Sequence, residues 1–289
     1  MKAYSYISSY PSFSLQRKSI VIDWEDGRWG EAAPLDGYSS DNLKDVLSSI
    51  LLEEQNPLPP SLSFAKDAKH FAPLSLPICG LLTGTKEKIL HDAHLLHQQG
   101  LRHVKLKLKG LPLHEAISLA NQVGKYFLLR IDFNRSLELP EALYFATHID
   151  PAVVEFFEEP LKNPKELPLF PYPIALDESL REDAHHILTS LEQVRALVIK
   201  PTMTGNIANC KRWSHLGIPI VLSSSFESGI GIIQIMQYAS HLSEQILPLG
   251  LDTYRFLEED LLEHRLIFDG GFVHSPDLLL IKHHLLNAL

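Results

Sequence analysis

At 289 residues, 45% of them hydrophobic, the chain can bury a sizeable core as one large domain, or one plus a smaller partner. The net charge of −9, without a basic cluster, excludes a nucleic-acid footprint, and no apolar run approaches the length of a membrane span. Two cysteines, Cys79 and Cys210, are too few for a disulfide framework or a thiolate metal cage, and Met1–Tyr10 lacks the apolar core of a secretory signal. The expected setting is the cytoplasm, with neither nucleic acid nor membrane as partner.

Residues 1–75 predict a small α+β domain. Lys18–Trp24 reads as a strand, Glu25-Asp26-Gly27 as a hairpin turn with glycine where positive φ is needed, and Trp29–Ala33 as the returning strand. Ser39, Ser40 or Asp41 offers an N-cap for a helix through Leu43, Val46, Leu47, Ile50 and Leu51, which the prolines of Gln55–Pro60 should end.

Residues 76–289 show a different rhythm, that of a β/α barrel. Ile78–Leu82 is a short strand, followed by a helix from Thr85 to about Gln99 that closes at Gly100, an αL cap. Next come a strand Arg102–Lys109, a helix near Leu113–Val123, and strands at Tyr126–Asp132, Val153–Glu158, Ile174–Asp177 and Ala196–Lys200. A further strand covers Ile218–Ser225, a helix runs from about Ile230 to His241, and Leu247–Asp252 is a weak last strand, giving eight strand-like runs.

Four of these runs end on a charge, Asp132, Glu158, Asp177 and Lys200, with gaps of 26, 19 and 23 residues. Each gap suits one parallel strand and its crossover helix. With about 3.3 Å of rise per strand residue, each run reaches one end of a sheet. In a closed barrel the charges then meet at the C-terminal mouth, where such barrels do chemistry.

Three carboxylates there suit Mg²⁺ or Mn²⁺, because without a cation they repel one another. Glu158 competes with Glu159 for the ligand position, and Asp177 with Glu178; alternation leaves both pairs open. Lys105, Lys107 and Lys109 share one face of their strand, and Lys200 ends an apolar, buried-type run. Lysines beside a metal serve to take a proton from the carbon next to a carboxylate, so a small-molecule carboxylate is the expected substrate.

Read together, Val104–Lys107, Ile131–Asn134, Phe157–Pro160, Leu176–Ser179 and Ile199–Thr202 resemble the enolase superfamily. Gly30–Leu35, Asp177–Glu182, Lys200–Gly205, Ser223–Ser228 and Gly250–Thr253 resemble its o-succinylbenzoate synthase family in particular. The resemblance implies a modified β/α barrel under an N-terminal α+β cap, with Asp132, Glu158 and Asp177 as Mg²⁺ ligands. It implies Lys107 as acid/base and Lys200 as its counterpart across the substrate. Lys105, Arg130, Asn134, Ser223, Ser225 and Glu227 become pocket or supporting residues. The activity implied is Mg²⁺-dependent dehydration of 2-succinyl-6-hydroxy-2,4-cyclohexadiene-1-carboxylate to o-succinylbenzoate in menaquinone biosynthesis.

The chain departs from the family pattern at Leu108-Lys109-Gly110, which leaves a Lys107/Lys109 register beside Lys105/Lys107, and it is somewhat short, implying a trimmed cap and last barrel units. The rival activities are an N-acylamino acid racemase or dipeptide epimerase with the same lysines, and a non-catalytic ligand-binding barrel. Gly250–Thr253 favours the synthase, since the dipeptide epimerases place two aspartates there. His91, His94 and His97 drift around their helix and read as surface residues, as do His185–His186 and His283–His284. Ser223–Ser228 lacks the glycines of a nucleophile elbow, and Asp269–Gly271 reads as a structural turn.

Overall fold

The computed structural model describes residues 1–52, 57–182, 192–242 and 246–289. Seven parallel strands form its centre: β5 (Gly80–Leu82), β6 (His103–Lys107), β7 (Leu128–Asp132), β8 (Val154–Glu158), β9 (Ile174–Leu176), β10 (Val194–Ile199) and β11 (Ile220–Leu222). They lie side by side in chain order, as short right-handed crossovers dictate. An eighth stave, residues 246–250, closes the ring: Ile220 bridges Ile246, Ser223 bridges Gly250, and Ile78 bridges Leu249, all parallel. Main-chain bonds at 2.9 Å from Leu247 N to Ile220 O and from Cys79 N to Leu249 O seal both seams. The weak last strand of the sequence is therefore a true stave that needs both neighbours to hold it.

Outward-facing Val104, Leu106, Leu129, Ile131, Leu197 and Leu222 pack against the apolar stripes of the surrounding helices, such as Ile89 and Leu96 on Lys86–Gln98 or Ala116 and Leu119 on Leu113–Val123. Inside the barrel, Phe156, Ala175, Ala196, Val198, Val221 and Leu247 form a separate, smaller cluster. Two alanines among them leave room in the lumen for the charged side chains above. After the eighth stave, a 3₁₀ helix (Asp252–Phe256) stands where a full β/α unit would place an α-helix.

Over this barrel lies an antiparallel sheet of β1 (Lys2–Tyr10), β2 (Leu15–Asp23) and β3 (Trp29–Ala32), to which the chain's last strand β14 (Asn287–Ala288) adds beside β1. The β2–β3 turn has Gly27 at φ +90 as expected, with Glu25 also left-handed. β14, two residues long, is not legible as a strand by local pattern; it pairs with β1 across the length of the chain. A second hairpin, β12 (Ile267–Asp269) and β13 (Phe272–His274), turns at Gly270-Gly271 and pairs with β4 (Ser75–Pro77).

Two details of the cap differ from expectation. The helix Leu43–Leu51 is capped by Asn42, whose side chain accepts from Lys44 N and Asp45 N while Asp45 answers Asn42 N. Asp41 is instead drawn inward to Ser61, accepting from its N at 2.9 Å and its Oγ at 2.6 Å. Pro60 opens a second helix, Pro60–Lys66, at a first-turn position where its missing N–H costs nothing.

Candidate active site

Parallel register sets the site. Lys107 pairs with Asp132, Asp132 with Glu158, and Glu158 with Ala175, so three consecutive staves bring an amine and two acids to one rung at the barrel mouth. Asp177 follows one residue past β9, and Lys200 one residue past β10, where Pro201 starts a turn of helix. Lys107 on β6 and Lys200 on β10 are four staves apart in a ring of eight. They face each other across the mouth, with Asp132, Glu158 and Asp177 along the half-rim between them.

The carboxylates are buried: Asp132 at 0%, Glu158 at 2% and Asp177 at 1% exposure. Each meets cations from neighbouring staves. Lys105 Nζ lies 2.9 Å from Asp132 Oδ2 and 2.7 Å from Glu158 Oε1. Lys107 Nζ lies 3.4 Å from Asp132 Oδ2 and donates to Asn134 Oδ1 at 3.1 Å. Asp177 accepts from Lys200 through Oδ2 and from Arg181 Nη1 through Oδ1, the latter at 2.8 Å.

Burial alone would raise all three acids, and the neighbouring charges decide each outcome. Burial together with the charges of Asp132 and Asp177 lifts Glu158 to about 7, against the pull of Lys105. Asp132 is held down at about 2 because Lys105 and Lys107 outweigh its burial, and Asp177 is lowered because Lys200 and Arg181 outweigh its own. Burial disfavours the Lys105 ammonium, but Asp132, Glu158 and Asp177 together raise its pKa and keep it charged.

Of the paired candidates, Glu158 faces the lysines and Glu159 does not: at φ +41 the chain turns, and Glu159 bonds the main chain of Asp177 and Ser179. Asp177 meets Lys200, while the raised carboxyl of Glu178 is pushed up by burial and by Asp177 beside it. Lys109 lies beyond the end of β6, exposed, and among the described residues no carboxylate lies within 4 Å of it.

Arg130 is not brought to the mouth. One rung below Asp132, it turns to the barrel floor, donating to Glu155 Oε2 at 2.7 Å and to Pro248 O at 2.7 Å. Glu155 is half-buried, which would raise it, but the bonds from His103 and Arg130 hold it down at about 2. Ser223 bonds Gly250 O on the eighth stave, whereas Ser225 and Glu227 close on each other: Glu227 accepts from Ser225 N (2.7 Å), Ser225 Oγ (2.6 Å) and Thr202 Oγ1 (2.6 Å).

Three cap residues, of which only Glu31 lies in a segment the sequence marks (Gly30–Leu35), hold this last segment from above. Tyr10 donates to Glu227 O at 2.7 Å, Arg17 donates to Ser225 O and Ala33 O, and Glu31 accepts from Ser228 N, Ser228 Oγ and Gly231 N. A Cβ on Gly231 would fall 2.7 Å from Glu31 Oε2, so only glycine admits that approach. Arg181 had a readable signal, its i,i+4 spacing from Asp177.

His91, His94, His97, His283 and His284 are exposed, while His185–His186 lie outside the described residues. The free thiols of Cys79 and Cys210 are pushed up by burial to about 11 and about 12. No helix among the described residues is long and apolar enough to cross a membrane.

The donor set suits a hard divalent cation: three buried carboxylates, one of whose oxygens, Asp132 Oδ2, has two ammonium groups nearby yet accepts a directed hydrogen bond from neither. Among the described residues, no three acids, histidines or cysteines are gathered as a ready ion cage. Each carboxylate is turned onto a lysine or arginine, and an ion would have to compete with those cations.

Residues 88–279 match the family described as Enolase C-terminal domain-like, which defines the class of the barrel. The chain is 32% identical to the o-succinylbenzoate synthases of Citrobacter koseri and Vibrio cholerae, over 82% of this chain and 82% of each relative. Among solved structures, MenC from Desulfotalea psychrophila superposes with a TM-score of 0.76 at 19% identity, covering 95% of this chain and 99% of that one. An enolase-superfamily member from Roseovarius nubinhibens, complexed with magnesium, does so at 0.77 and 16%, covering 100% and 97%. The L-Ala-D/L-Glu epimerase of Bacillus subtilis reaches 0.76 at 18%, covering 95% and 92%. The chain belongs to the o-succinylbenzoate synthase family of the enolase superfamily, and it is a lyase.

Proposed function

We propose that this enzyme dehydrates 2-succinyl-6-hydroxy-2,4-cyclohexadiene-1-carboxylate to o-succinylbenzoate, the product for which its relatives are named, and that it needs Mg²⁺ or Mn²⁺ to do so. The observation that carries the reading is the opposition of Lys107 and Lys200 across the mouth, with three buried carboxylates on the staves between. Asp132, Glu158 and Asp177 would hold the cation, which, when bound, offsets the negative charge that builds on the substrate carboxylate as its neighbouring carbon loses a proton.

Lys107 is the base. Its side chain is 33% exposed against 18% for Lys105, and Asn134 Oδ1 orients it. Lys105 is pinned between two carboxylates and keeps the ammonium form. Lys107, in its neutral form, takes the proton from the carbon bearing the carboxylate. The C–O bond of the adjacent carbon then breaks, and the same lysine returns its proton to the departing hydroxide, which leaves as water. The ring gains its third double bond and becomes aromatic. Lys200, on the opposite face, remains an ammonium and stabilises the anionic ring system by its charge. The two free, buried cysteines accord with work in a reducing cytoplasm.

Opposed lysines serve 1,1-proton transfer equally well, and the fold likeness to an epimerase keeps racemisation as the second reading. Asp252 speaks against a dipeptide substrate. Its Oδ2 accepts from Leu81 N at 2.7 Å and Arg255 Nη2 at 3.0 Å, which ties the side chain to β5 and to Arg255. The deciding experiment supplies purified protein with Mg²⁺ and the cyclohexadiene carboxylate, follows o-succinylbenzoate by ultraviolet absorbance, and runs EDTA and N-succinyl-amino-acid racemisation in parallel. The expected result is dehydration abolished by EDTA, with little racemisation. Racemisation without dehydration would keep the site and replace the substrate.

A further inference from the structure

Glu159 takes no part in the chemistry above, yet it is 1% exposed and heavily bonded. Oε1 accepts from Asp177 N at 2.9 Å and Ser179 N at 2.8 Å; Oε2 accepts from Ser179 Oγ at 2.8 Å and Arg135 Nε at 2.9 Å. Arg135, from the loop after β7, donates further to Ser179 Oγ and to both oxygens of Glu182. The two residues also meet through their main chains, Arg135 N donating to Glu159 O at 2.8 Å.

Both adopt the left-handed region, Arg135 at φ +54 and Glu159 at φ +41, as does Asn134 at φ +46. For residues with a Cβ this conformation is sterically costly, and it persists where surrounding contacts over-determine it. Here the turn at Glu159 sends its side chain away from the mouth, toward the end of β9. Among the described residues, the oxygens of Asp177 bond only side chains, Lys200 and Arg181, either of which can swing away. Asp132 differs, since Asn134 N fixes its Oδ1 at 2.8 Å. The position of the Asp177 carboxylate is thus set by its main chain, and Glu159 is the group that grips that main chain from the neighbouring stave.

We infer that Arg135 and Glu159 are positioning residues that present Asp177 to the divalent cation and set the affinity of the site for it. The inference rests on the cation-dependent reading above, and direct metal binding separates the two. Free Mn²⁺ is measured by its electron paramagnetic resonance signal against wild type, Glu159→Gln, Arg135→Gln, Arg135→Lys and the Glu159→Gln/Arg135→Gln double variant, with melting temperatures recorded alongside.

The Mn²⁺ dissociation constant should rise roughly 10- to 100-fold in Glu159→Gln and Arg135→Gln. Arg135→Lys should recover part of the loss, and the double variant should bind no more weakly than the weaker single, because both act through one link. Turnover should follow, with the apparent KM for metal rising more than kcat falls. Variants that melt earlier but bind Mn²⁺ within twofold of a metal-binding wild type would overturn the inference, leaving a purely structural pair. Should Glu159→Gln fail to fold, the half-buried Arg135 variants decide by the same criterion. A wild type that binds no Mn²⁺ overturns the cation reading itself, and this inference with it.

Discussion

The barrel mouth and the seam between cap and barrel both bury several charges, but they satisfy them in opposite ways. At the mouth, the lysines and Arg181 pair with carboxylates by side chain: Lys105 with Asp132 and Glu158, Lys200 and Arg181 with Asp177. At the seam, charges bond mainly to main chain: Arg17 to the carbonyls of Ser225 and Ala33, Glu31 to the amides of Ser228 and Gly231. Side-chain partners can rotate away and be replaced by substrate or cation, whereas a backbone amide cannot leave without unfolding. The mouth is therefore built for exchange, and the seam for permanence. Between them stands Phe226, left-handed at φ +66, its ring edge-on to Tyr10 and Phe13 at 5.1 and 5.0 Å. The cap thereby holds one wall of the mouth in a conformation the barrel alone does not favour.

Three measurements test this contrast. The largest effect belongs to the mouth: Lys107→Ala should lower turnover by roughly 10³-fold, the middle of the range for a lost general acid–base, while leaving the unfolding midpoint in urea close to wild type. A Lys107→Ala variant that turns over normally would remove the mechanism. Next is the seam, where Arg17→Ala should cost about 3–5 kcal/mol in urea unfolding, because it leaves buried carbonyls and acids without their cation. A loss under about 1 kcal/mol would show that the seam, too, is exchangeable.

The smallest effect is one of pH. Burial lifts Glu31 to about 7, despite bonds from Ser228 that favour its anion. A carboxyl raised in the folded state contributes stability that is fully present below its ordinary value of 4.5 and lost as pH rises through 7. Wild type should thus lose up to about 3 kcal/mol relative to Glu31→Gln between pH 4.5 and 8. Equal pH slopes for the two proteins would contradict the assignment.

The repeat of strand and crossover helix and the charges that end the strands are legible in the chain alone, because both are local: period-two alternation, helix caps and the spacing of one β/α unit. Thr85 caps its helix and Gly100 closes it as the pattern dictates, and Lys107, Asp132 and Glu158 share a rung as their strand ends imply. Which member of each acidic pair meets the lysines needed the folded chain, because alternation places Glu158 and Glu159 on opposite faces without saying which face is inner, and Glu159 turns left-handed where Arg135, from the loop after β7, bonds its carboxylate. The fold also decided that Lys109 falls past the strand end, that Arg130 turns to the floor, and that β1 and β14 pair. Arg17 and Glu31 join a loop some 200 residues downstream. Contacts at that separation leave no periodic trace in the chain; they exist only once the barrel has closed and the cap has somewhere to dock.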